Sequence, residues 1–284
     1  MQFALSTAPQ HCTWPELLAA WQVADAAPVL HSAWLFDHFY PIFSDPTGPC
    51  LEGWSTLAAL AAATHRIRLG VLVTGNIHRH PAVLANMAAT VDIVSGGRLE
   101  LGLGAGWNAQ ECDAYGIPLY GVRERLERLD EAAAILTGLL RDETTSYAGK
   151  HYTVTEARCE PKPVQQPSPP LCIGGSGERF TLGTVARYAD HWNYSGGDLT
   201  ELRHKRTVLA RHCADVGRDL DDIVISASLG LQDGVEAVLA QAEAFAGEGA
   251  GLAIIGLPAP FDLALLDDLV RALDGVAQPV GGVA

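Results

Sequence analysis

The stretch "RLELGLGAGWNAQECDAYGIP", Arg98 to Pro118, runs an alternating apolar segment straight into a glycine-rich loop. Such a strand and loop open either a dinucleotide-binding βαβ unit or one unit of a parallel barrel. The dinucleotide fingerprint requires G-x-G-x-x-G, but after Gly102 and Gly104 the third glycine position holds Trp107. An indole there obstructs the close packing of helix on strand that glycine permits, so the doubly wound reading is disfavoured. At the C-terminal end of a barrel strand, glycines without a Cβ let a planar ring lie against the backbone. A tight turn with no ligand is the plain alternative.

Working outward, short β-branched or alternating runs recur, each followed by a helical pattern, as expected for βα units on a parallel sheet. The expected strands are Gln2 to Ser6, Ser32 to Phe36, Arg68 to Val73, Leu99 to Gly104, Leu171 to Ile173, His191 to Tyr194, Ile223 to Ser228 and Leu252 to Gly256. Eight units favour an α/β fold closed into a (β/α)8 TIM barrel. The segment Val122 to Leu140 reads as an outer helix, with Val122, Leu126, Leu129, Ala133, Leu136 and Leu140 on its apolar face. One long interruption, at about residues 142–170, follows the fourth strand. It reads as a hairpin turning at Ala148-Gly149 and then an extended linker, because prolines at 161, 163, 167, 169 and 170 forbid helix. The expectation is one barrel domain over residues 1–284 carrying that insertion.

A length of 284 residues with 48% hydrophobic composition supports a large core. The 19 basic residues against 33 acidic give a net charge of −14, which argues against a phosphate-backbone partner and hence against nucleic acid. The start of the chain shows no basic region followed by an apolar run, and "LAALAAA" is far too short to span a bilayer. No membrane role and a cytoplasmic location are expected. Cysteines 12, 50, 112, 159, 172 and 213 form no CxxC pair and read as reduced thiols. The "HRH" at 78–80 lacks metal-ligand spacing, so no metal is expected.

Two further motifs carry chemistry. In "HSAWLFDHFYP", Asp37 and His38 leave the second strand where barrel active sites lie, and histidine exchanges protons near neutral pH. The bland alternative is a turn cap and a packed ring. In "LCIGGSGERFTLGTVARYADHWN", a buried strand ends in Gly174-Gly175-Ser176-Gly177 before a helix, with Arg179 nearby. Successive amides at a helix N-terminus suit a phosphate, although a glycine-rich turn without ligand is equally regular.

These motifs, together with "LEGWSTLAALAAATHRIRLGVLVTGNIHRHPAVLANMAATVDIVSGGRLELGLGAGWNAQE", resemble the luciferase-like monooxygenase superfamily, above all its branch of oxidoreductases that use the deazaflavin coenzyme F420. The likeness runs from the first strand to about Asn193 and is dense over Leu51 to Glu111. It implies a (β/α)8 barrel with an insertion after the fourth strand. It also implies Gly104, Ala105 and Gly106 as one wall of the ring site, Asp37 near the ring's polar edge and His38 at its reactive face. Val71, Leu72 and Thr74 would belong to a bulged strand behind the ring, with Thr74 in hydrogen-bonding reach. Gly174, Gly175, Ser176 and Gly177 would hold the tail phosphate. There are two departures. Sugar-phosphate dehydrogenases of this branch carry a glutamate where this chain has Trp107, and Leu30-His31 precede "SAW" where the family has glycine and an apolar residue.

The function implied is hydride transfer between the deazaflavin C5 carbon and a small organic substrate, reducing a polar double bond with His38 as proton source. Trp14, Trp54 and Trp107 would line an apolar substrate pocket, although indoles in a barrel are more often core. An FMN-dependent monooxygenase of the same superfamily, or a non-catalytic flavin-binding protein, are the alternatives. A small-molecule substrate and a homodimer complete the expectation.

Overall fold

The alternating runs do form strands, and the computed structural model, which describes residues 1–276, closes eight of them into a parallel barrel. Residues 277–284, part of the expected domain, lie outside the described residues. The first half of the chain is β1 (Gln2–Thr7), α1 (Trp14–Ala26), β2 (Leu30–Leu35), α2 (Gly53–Ala63), β3 (Arg68–Val71), β4 (Thr74–Gly75), α3 (Pro81–Ser95), β5 (Leu99–Gly104), α4 (Ala109–Tyr115) and α5 (Val122–Arg141). A hairpin of β6 (Thr145–Ala148) and β7 (Thr153–Ala157) follows. The chain then continues through β8 (Leu171–Gly174), α6 (Thr181–Tyr188), β9 (His191–Tyr194), α7 (Leu199–Asp215), β10 (Val224–Gly230), α8 (Val235–Gly247), β11 (Leu252–Leu257) and α9 (Leu263–Val276).

Around the wall the order is β3, β2, β1, β11, β10, β9, β8, β5, and the barrel closes where Leu69 of β3 pairs with Leu99 of β5. The expected third strand, Arg68 to Val73, is shorter than read. It stops at Val71 and resumes as β4, which pairs only with β5, through Thr74↔Leu103 and Gly75↔Gly104. The break turns Leu72 and Val73 out of the wall. Val73 settles over the C-terminal ends of β5 and β8, and a Cβ on Gly104 would stand 2.4 Å from its Cγ2 and one on Gly174 3.1 Å from its Cγ1. These glycines make room for a side chain of the chain itself.

Alternation sorts the strands into two layers. Outward residues such as Leu5, Leu35, Val71, Leu101, Ile173 and Ile255 bury against the helices in one continuous core. Inward ones are fewer: Ala4, Trp34, Cys172, Leu252 and Ile254, with Leu72 packed on them. Below this plug the interior is polar. Arg68 donates to Glu100 at 2.8 Å, His191 lies 3.6 Å from the same carboxylate, and His191 is hydrogen-bonded to Ser226 at 2.7 Å. Burial pushes the Glu100 carboxyl up, but His191 and Arg68 overcome it and hold it down at about 2.

The outer helix spans Val122–Arg141, close to its expected limits, with Leu129, Ala133, Leu136 and Leu140 inward and Val122 exposed at its start. The hairpin's turn is pinned to it. The Glu131 carboxylate accepts from the backbone amides of Lys150, His151 and Tyr152 at 2.8, 3.0 and 2.9 Å. Asn76 donates to the Tyr152 hydroxyl at 3.3 Å, so the insertion reaches the loop that follows β4. Among the described residues no helix is long and apolar enough to cross a membrane.

Candidate active site at the barrel mouth

The second strand ends at Leu35, and the next residues rise from the C-terminal face as expected of Asp37 and His38. Their roles diverge at once. Asp37 is 2% exposed, and its carboxylate accepts four hydrogen bonds: from the Gly75 amide at 2.9 Å, His78 at 3.1 Å and the Arg79 guanidinium at 2.7 and 3.0 Å. Burial alone would raise its pKa, but His78 and Arg79 bring it to about 2. The Gly75 amide is available to it because β4 pairs with β5 alone. Asp37 therefore fastens the loop after β4 to the end of β2.

His38 faces the other way. Its Nδ1 lies 2.8 Å from Oε2 of Glu111, a carboxylate with no exposed surface that also accepts from the Phe39 amide at 2.6 Å. Burial works against ionisation of Glu111, yet His38 and Phe39 lower its pKa below the ordinary glutamate value. An ionised carboxylate only accepts, so Nδ1 must carry hydrogen, which leaves Nε2 to give or take a proton. Glu111 was not among the expected site residues. It is held in place locally, because the Asn108 side chain caps α4 and accepts from the Glu111 amide at 3.2 Å. His78 joins the two halves, with its Nε2 3.8 Å from Glu111 and its Nδ1 on Asp37.

The other expected residues separate into those that meet this mouth and those that do not. Ala105 and Gly106 are half-buried in the loop after β5, and Gly106 holds φ +79, a conformation that favours glycine. Trp107, next along, is 53% exposed and takes the edge of the His38 ring at 5.6 Å. Leu72 faces inward beneath them. Val71 instead packs in the outer core, and the Thr74 hydroxyl accepts from the Trp54 indole at 3.1 Å in a buried contact. Trp54 is 2% exposed and Trp14 packs half-buried against the core, so of the three tryptophans only Trp107 opens to the mouth.

At the end of β8, Gly175 sits at φ +110; its amide donates to Asn193 at 3.3 Å and its carbonyl accepts from the Trp192 indole at 2.8 Å. The next two amides, of Ser176 and Gly177, have no acceptor among the described residues. Replacing Gly175 with valine forces a β-branched residue into that left-handed backbone and turns these amides aside. Where the loop holds the phosphate that the resemblance implies, F420 affinity is expected to fall about tenfold or more in a barrel that still unfolds cooperatively, read by equilibrium titration. Unchanged affinity would remove the loop from the site. A separate cavity of about 420 Å3 lies on the flank between α5, the hairpin and α6, where Arg179 and Lys150 share the lining with Glu127, Asp130 and Glu131.

An uncharacterised protein of Mycobacterium tuberculosis is 35% identical to this chain over 169 residues, covering 60% of the chain and 58% of that protein. An F420-dependent hydroxymycolic acid dehydrogenase of the same organism is 31% identical over 191 residues, 66% of the chain and 51% of that enzyme. The chain thus spans a little over half the length of the curated relatives it matches. An F420-dependent secondary alcohol dehydrogenase, solved with an F420-acetone adduct, superposes with a TM-score of 0.84 at 18% identity, over 98% of this chain and 100% of that one. The family profile of luciferase-like monooxygenases matches residues 2–267, and the chain, a barrel with an interrupted third strand and an insertion, belongs to that family.

Proposed function

We propose that this protein is an F420-dependent oxidoreductase that passes a hydride between the coenzyme and a small organic substrate, reducing a polar double bond. The observation that carries the reading is His38, with Nδ1 fixed on a buried, ionised Glu111 and Nε2 directed away from it at the mouth. When bound, the deazaflavin supplies or accepts a hydride and no proton. The chain's residues supply the rest. In the reductive direction protonated His38 delivers a proton from Nε2 to the substrate heteroatom, and Glu111 stabilises the cationic ring until then.

The residues present fit such a coenzyme. The unpartnered amides of Ser176 and Gly177 suit a tail phosphate. Val73, packed over Gly104 and Gly174, would give a flat ring an apolar rest. The dehydrogenase names among the relatives support F420 over FMN. Titrating the purified protein with F420, FMN and NADPH, followed by intrinsic tryptophan fluorescence, tests this. F420 is expected to bind at least about tenfold tighter than FMN, a difference of about 1.4 kcal/mol. If FMN binds tighter by that factor, and the reduced flavin then consumes oxygen, the protein is a monooxygenase.

A further inference from the structure

We infer that the substrate is an uncharged molecule with a flat apolar body, held against a two-ring aromatic wall made by Phe43 and Trp107. The inference rests on the reading of His38 as the proton donor and adds what lies beside it. Phe43 is 91% exposed, Trp107 is 53% exposed, and their rings stack with planes 9° apart and centroids at 5.5 Å. Trp107 in turn takes the His38 ring edge-on. Two large aromatic side chains left in water at a candidate proton donor mark a binding surface, because apolar area gains nothing by exposure.

The backbone at Phe43 supports this. Its φ of +57 is a conformation that bulky residues rarely adopt. The loop is held on both sides of it. Gln10 donates to the Ile42 carbonyl at 3.2 Å and accepts from the Ile42 amide at 2.8 Å, while His11 is hydrogen-bonded to Ser44 at 3.0 Å. The loop is anchored while the Phe43 ring projects, which keeps a local strain that packing in a core would not require.

Charge supplies an independent argument. In the segments between each barrel strand and the helix after it, the only lysine or arginine residues are Arg79 and Arg179. Arg79 is bound to Asp37 by both terminal guanidinium nitrogens, and Arg179 lies over the Phe180 ring beside the glycine loop. With Arg79 held by Asp37 and Arg179 at the glycine loop, these segments offer no unpaired cation beside His38, while Asp45, Glu52 and Asp113 stand in or just beyond them; Arg125, on α5, lies by Cys112. An anionic substrate would meet acidic side chains and an aromatic face. A neutral planar one gains stacking against both rings beyond its area burial.

Calorimetric titration with three ketones tests the inference, on the protein alone and after loading with F420: 2-acetonaphthone, its 6-carboxylate, and cyclohexyl methyl ketone. The first is expected to bind at least about tenfold tighter than either of the others, and Phe43→Ala and Trp107→Ala each to weaken it by a similar factor. Phe43→Tyr, which keeps the stack, is expected to restore it. Equal affinity for all three ketones, or full affinity in both alanine variants, overturns the inference. So does a Phe43→Ala protein that changes from dimer to monomer with ketone binding intact, since the pair would then be a subunit contact. If the ketone binds and F420 does not, the coenzyme assignment fails and the aromatic wall stands; if F420 binds and no ketone does, only the wall fails.

Discussion

Substituting His38 by alanine is expected to lower turnover by about a hundredfold or more, the usual scale for a lost general acid, while F420 affinity stays within about twofold. Stopped-flow oxidation of reduced F420 by an identified carbonyl substrate gives the rate, and fluorescence titration gives the affinity. The Glu111→Gln variant separates positioning from proton supply. Glutamine still accepts from Nδ1 but carries no charge, so the imidazolium loses its counter-ion in a site without exposed surface on the carboxylate side. A rate loss of about tenfold to a hundredfold is expected, with the basic limb of the pH–rate profile moved to lower pH. The double variant is expected to be no slower than His38→Ala, because the carboxylate acts only through the ring. A His38→Ala enzyme that turns over normally and loses the coenzyme would make the residue a binding contact, with the proton coming from water.

The largest expected effect on stability lies at the opposite end of the barrel. Glu100→Gln leaves the part-buried Arg68 and the buried His191 without the anion they share, and removing one partner of a buried ionic group costs about 3–5 kcal/mol. Urea unfolding at pH 7 measures it. The acid dependence follows from the carboxyl's position. Its folded pKa of about 2 lies below the ordinary glutamate value of 4.5, so its contribution is present above pH 4.5 and is lost as the pH falls from there toward 2. Wild type and variant are therefore expected to converge in acid. A constant difference between pH 7 and pH 3 would mean that Glu100 acts by packing.

The eight strands were legible because each alternates and each precedes a helical pattern, and the fold needs nothing more than that periodicity. What the pattern concealed was the inner face. "RLELGLG" reads as an apolar alternation, yet its inward members are Glu100, Gly102 and Gly104, which serve an ionic floor and a close approach of backbone rather than a hydrophobic plug. The break after Val71 left no mark in the periodicity either, since "RLGVLVTG" is as β-branched through the break as before it; only the family resemblance pointed to an irregular strand there. Glu111 escaped for a different reason. Its partner is 73 residues away, and in sequence it is an ordinary acidic residue in the first turn of a capped helix. The available signal was its place: a first-turn carboxylate directly after a strand-end glycine loop lies at the mouth of any such barrel. Asp37 shows the converse: its place after the second strand was legible, and the arginine, histidine and amide that surround it were not.

Val73 resting on bare glycines means that the depth of the mouth is set from behind. A methyl group added at Gly104 would lie 2.4 Å from Cγ2 of Val73, and one at Gly174 3.1 Å from Cγ1. Either would lift that side chain toward the opening without altering any residue beside His38, Trp107 or the amides of the β8 loop. The room left for a ring and its substrate is thus a property of two strands' inner profile, and such a barrel becomes shallower or deeper through single-carbon changes at Gly104 and Gly174.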